Sequence, residues 1–117
     1  MSSSTTPTIF QIPDIADAYL ATFNALGRAY WDASTIQEKD LIHGTQEAIG
    51  EILTEIDKQD IANNTALFIQ LTPKISAVNK ALQKIKDDIN NITKNINTAS
   101  TVLAAISKIM SLTPSLF

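Results

Sequence analysis

TPKISAVNKALQKIKDDINNITKNINTASTVLAAISKIMSL, residues 72–112, decides the fold. Its apolar side chains recur every seven residues in two rows. Ile75, Leu82, Ile89, Ile96, Leu103 and Met110 form one row, and Val78, Ile85, Ile92, Ala99 and Ile106 form the other. A repeat held over more than three heptads is the signature of coiled-coil-type helix packing. The spacing predicts one helix over residues 73–112, roughly 60 Å long at 1.5 Å per residue. Asn79, Asn90, Asn91, Asn95 and Asn97 lie within it. Asparagine is a poor helix former, so the apolar seam is expected to override local propensity.

A helix of that length needs a partner, and residues 34–70 supply one. Ile42, Thr45, Ile49, Ile52 and Ile56 share a face that Leu41, Ala48 and Leu53 widen. Ser34 and Gln37 have the spacing of a capping box, which satisfies backbone donors at a helix start. The run from Asp57 to Thr65 is weaker in helix formers, and a kink is expected near 60–65. Thr72-Pro73 then suits a helix start and disfavours continuation of the preceding helix, so the chain should reverse at 71–73.

A first helix is predicted over 13–31. Pro13, Asp14 and Asp17 mark its start, and Ile15, Tyr19, Phe23, Leu26 and Tyr30 share one face. At about 27 Å it would cover half of the hairpin. Phe10, Tyr19, Phe23, Tyr30, Trp31 and Phe117 are expected to meet where the second helix starts and the third stops. Val102 and Ile109 broaden the third helix in that region. The expected fold is thus all-α: a long antiparallel, coiled-coil-like hairpin with a shorter N-terminal helix packed on its open end, forming a three-helix bundle. Residues 12–117 make one domain behind a flexible Ser/Thr-rich leader over 1–11.

Composition removes several chemistries. The chain has no cysteine, which excludes disulfides, thiolate metal sites and thiol nucleophiles. Its one histidine, His43, lies near Glu47 and Glu51 on a helix, but a single helix face gives incomplete metal coordination. No nucleophile, base and orienting group can be assembled, so no enzymatic activity, cofactor or metal is expected. Gly27, Gly44 and Gly50 stand alone in helical segments and form no phosphate-binding loop; close helix packing is their expected use. Asn63-Asn64-Thr65 and Asn91-Ile92-Thr93 match the glycosylation tripeptide and are taken as chance.

The net charge of −3 hides a division. Residues 1–72 carry ten acids against three bases, whereas residues 73–117 carry six lysines against Asp87 and Asp88. Opposite signs on consecutive segments predict that they face each other within one fold. Lys74, Lys80, Lys84, Lys86 and Lys94 would then pair with Glu47, Glu51, Glu55, Asp57 and Asp60 across the hairpin. With one arginine and no basic run, nucleic acid is not an expected partner.

The far half of such a hairpin would leave its seam and tip uncovered. Leu67, Phe68, Ile69, Leu71, Val78, Leu82 and Ile85 are the predicted partner-binding residues. The functional expectation is a protein-protein interaction or assembly module of adaptor, immunity or structural-subunit type, bound to another protein or to itself as a homo-oligomer. The alternative is an exported, membrane-active helical protein that inserts the apolar tip or residues 98–117. Against it, Lys108 and Pro114 interrupt that segment, which falls short of a spanning helix. The start of the chain lacks the pattern of a cleavable signal, so a cytoplasmic location is the default and signal-independent export the other route.

Overall fold

In a computed structural model the described residues are 12–58 and 65–113, without the side chains of Lys58, Thr65 and Leu67. They form α1 (Ile12–Asp32), α2 (Ile36–Lys58), α3 (Thr65–Gln70), α4 (Thr72–Ile92) and α5 (Ile96–Leu112). The all-α bundle expected from the sequence is what the chain forms. Its four long helices close a ring in which α1 touches α2 and α5, and α4 touches the same two from the other side. The short α3 packs on α4.

The direction of each helix follows from contacts at its ends. Ser34, between α1 and α2, donates its N–H to the Ile92 carbonyl at the end of α4, 3.0 Å away. Thr98, in the first turn of α5, donates its hydroxyl to the Asp32 carboxylate at the end of α1 (2.6 Å). Lys74 at the start of α4 reaches Glu51, late in α2, at 3.1 Å. Helices α1 and α4 therefore run one way, and α2 and α5 the other. This is an up-down-up-down bundle with short connections from α1 to α2 and from α4 to α5.

The unbroken helix expected over 73–112 is divided at Thr93-Lys94-Asn95. Thr93 adopts an extended backbone (φ −137°, ψ 145°), and Asn95 caps α5 by accepting the Thr98 N–H. The Thr93 hydroxyl accepts the Asn95 N–H at 3.1 Å, which fixes the turn between them. Asparagine and threonine offer the backbone partners that a helix interior would otherwise provide. Folding back also removes apolar surface that a helix of roughly 60 Å would leave outside a body whose longest dimension is 47 Å.

The break rotates the apolar rows. In α4 the heptad residues Ile75, Val78, Leu82, Ile85, Ile89 and Ile92 are buried, as the seven-residue spacing predicts. In α5 the buried face is Ala99, Val102, Ile106 and Ile109, while Leu103 and Met110 move to its margin and Ile96 to the surface. Val102 and Ile109, read in the sequence as a widening of the stripe, lie at its centre.

Two local predictions shift. The capping box belongs to Thr35 and Glu38: Glu38 donates its N–H to the Thr35 hydroxyl, and its carboxylate accepts the Thr35 N–H. Thr35 and Glu38 repeat the motif spacing one residue later, and Ser34 instead donates its hydroxyl to Ile92 O. Thr72 does not cap α4. Its hydroxyl donates to Ile69 O, and α3 passes into α4 across Leu71, whose backbone stays in the right-handed helical region. Pro73 lies in the first turn of α4, and residues 59–64, which join α2 to α3, lie outside the described residues. The kink expected near 60–65 lies largely outside the described residues.

Candidate interaction surface

The predicted partner-binding residues do not make a surface. Phe68, Val78, Leu82 and Ile85 are buried in the core of the single chain, because α1 and α5 cover the seam that a bare hairpin would expose. Leu71 is half-buried and packed against that core. Of the seven, Ile69 is exposed, and the Leu67 side chain lies outside the described residues. The under-covered tip read from the sequence is thus corrected. Buried apolar residues in this chain satisfy one another.

The outer side of the α2–α4 pair is different. These two helices meet over fewer residues than α1 shares with either neighbour, and a groove of about 470 Å³ runs between them. Thr45 and Val78 form its floor, and Leu41, Gly44, Ala48, Ala77 and Ala81 form its walls. At one end it continues past Leu41 to a recess bordered by Gln37, Lys84 and Asp88, and at the other past Glu51 to one bordered by Gly50 and Thr54. Small side chains at three- and four-residue spacing on both helices give it flat, shallow walls.

Gly44 sharpens the reading. A helical glycine costs about 1 kcal/mol relative to alanine, yet a Cβ at this position would meet no atom within 4 Å. Nothing inside the fold requires the glycine there. Gly27 differs, since its Cβ would lie 3.4 Å from the Gln46 amide, which donates to Phe23 O and ties α2 to α1.

Charge divides across the groove. Helix α2 carries six acids against two lysines, and α4 carries four lysines against two aspartates. Lys74 and Glu51 meet across the seam with both side chains largely in water, where such a pair contributes well under ~1 kcal/mol. His43 lies 3.7 Å from Glu47, and both are exposed. Among the described residues no three His, Cys, Asp or Glu side chains gather as a metal site.

A second exposed feature lies at the end where both short turns meet. Trp31 is 79% exposed, Ile36 73% and Ile96 79%. Lys39 binds this corner together: its ammonium donates to Tyr30 O at 2.6 Å and sits 4.8 Å from the Tyr30 ring centroid. The predicted gathering of six aromatics at one end does not occur. Tyr30 and Trp31 stand at this end, Tyr19 is buried beside Asn79 and Thr113 toward the other, and Phe10 and Phe117 lie outside the described residues.

The buried polar groups belong to the architecture. Tyr19 donates its hydroxyl to the Asn79 side-chain oxygen, and the Asn79 amide donates to Thr113, so one network joins α1, α4 and the end of α5. Burial pushes the Tyr19 hydroxyl far above its ordinary pKa, with the Asn79 hydrogen bond a smaller opposing influence. No buried side-chain nitrogen or oxygen among the described residues lacks a partner. Comparison of the chain with known family models, with curated proteins and with solved structures finds no match.

Proposed function

We propose that this protein is a non-enzymatic interaction or assembly module, of adaptor, immunity or structural-subunit type, which binds another protein chain along the outer α2–α4 groove. The observation that carries the reading is an open apolar groove walled by Gly44, Ala48, Ala77 and Ala81. Small walls allow a helix backbone to approach closely, and a long shallow groove suits a helix better than a compact ligand. Ala81→Arg places a long cation in the groove without touching the core. Wild-type protein should self-associate or retain a partner from its native source, and the variant, with unchanged circular dichroism, should do neither. Wild type and variant behaving alike in both assays would overturn the reading.

A second reading rests on the other exposed feature. Trp31, Ile36 and Ile96 give the turn end an apolar surface of the kind that rests at a lipid interface. No helix among the described residues is long and apolar enough to cross a membrane, so contact would be peripheral. Trp31 is the only tryptophan, and its fluorescence reports on that end alone. A blue shift on adding phosphatidylcholine vesicles with or without phosphatidylglycerol is the expected result; an unchanged spectrum with both rules the reading out.

A further inference from the structure

We infer that the occupant of the α2–α4 groove is a second copy of this chain, related by a two-fold axis parallel to the two helices. The inference rests on the interaction reading above and names its partner. Rotation about such an axis lays α2 of one copy over α4 of the other and keeps every residue at its own height along the bundle. The acidic helix then faces the basic one. Glu51 and Lys74 share a height, as their contact within one chain shows, and Lys84 stands beside Leu41 and Glu38. In the pair, Glu51 of each copy faces Lys74 of the other, and Lys84 faces the Glu38 and Asp40 turn. The arrangement sets acids of α2 against lysines of α4 at both ends of the groove, with Asp88 the one acid on the basic side of the Lys84 end.

The size of the face fits. Helices of 23 and 21 residues extend about 33 Å, and two side by side are roughly 20 Å wide, so each copy offers on the order of 650 Å². Doubled, that is about 1,300 Å², at the lower end of the range for specific complexes. Gly44 gains a use in this geometry, because it lets the facing α4 backbone settle where an alanine methyl would stand. A single unrelated helix would have to carry both signs of charge along its length. A second copy already does so with two helices.

The test is a charge exchange between chains. Glu51 and Lys74 are both exposed, so Glu51→Lys and Lys74→Glu leave the core untouched. Wild type should sediment as a dimer at high micromolar concentration, and more weakly as salt rises. Each substitution occurs twice in a two-fold interface, so either variant alone should associate about tenfold more weakly. An equimolar mixture of the two variants should recover a dimer that contains one of each, read by native mass spectrometry. A mixture no better than its components overturns the inference, as does a monomeric wild type. If that monomeric wild type still retains a native-source partner that Ala81→Arg loses, the second copy is wrong and the interaction reading stands.

Discussion

The two ends of the bundle are built on opposite principles. At the α3 end, Phe68 is fully buried over the start of α4, and below it the Tyr19, Asn79 and Thr113 side chains satisfy one another inside the core. At the turn end, the chain is held by caps and backbone hydrogen bonds from Thr35, Ser34 and Asn95, while Trp31, Ile36 and Ile96 stay in solvent. One end is sealed by apolar burial. The other is tied by polar contacts as well as by Ile92 and Ala29 beneath it, and its exposed apolar residues do little for the fold. The contrast teaches that the size of a side chain and its contribution to stability separate once topology decides which faces are covered.

Substitutions can break that contrast, and Phe68→Ala should be the most severe. Removing a fully buried ring from the α3 end is expected to lower unfolding free energy by about 3–5 kcal/mol, read as a lower urea midpoint. A loss below ~1 kcal/mol would mean that α3 does not seal the core. Tyr19→Phe should cost less, about 1–3 kcal/mol. It should also flatten the alkaline limb of the stability curve. The folded state holds the Tyr19 proton above the ordinary value of 10.0, so above that pH the unfolded chain binds fewer protons and stability falls as pH rises. The phenylalanine variant loses that contribution, and urea titrations on either side of pH 10 compare the two slopes.

At the turn end the expected effects shrink. Asn95→Ala removes the α5 cap and should cost about 1 kcal/mol, measured by thermal unfolding. Trp31→Ser, despite deleting the largest side chain in the molecule, should change stability by no more than about 0.5 kcal/mol. A large loss there would show that the turn end is packed as the α3 end is.

Much of this was legible in the sequence because it is local. The starts of α1 and α4 follow from their prolines, and the buried rows of α2 and α4 from spacing alone. The division of the last helix was also written in the chain: Asn90, Asn91, Thr93, Asn95 and Asn97 crowd five polar, poorly helical residues around one point. The heptad count masked that signal, since Ile89, Ile92, Ile96 and Ala99 keep perfect register across a turn that the count cannot see. Without a fold-back at residues 93–95 no helix covers the seam, which is why Phe68, Val78, Leu82 and Ile85 look like a binding surface from spacing alone. The groove was less visible, because Gly44, Ala48, Ala77 and Ala81 carry no strong signal until two helices place them opposite each other.

The closure of α1 against α5 also bears on how the chain is made. Helix α1 leaves the ribosome first, yet its most extensive partner is the last helix of the bundle. At cellular synthesis rates the 80 residues between Asp32 and Leu112 take on the order of several seconds to appear. Until α5 appears, Ile15 and Leu26 lack the helix that α1 contacts most, and Tyr19 has α2 and, once α4 is made, Asn79. Until α5 is made, a chaperone or another nascent copy competes with it for the same face of α1.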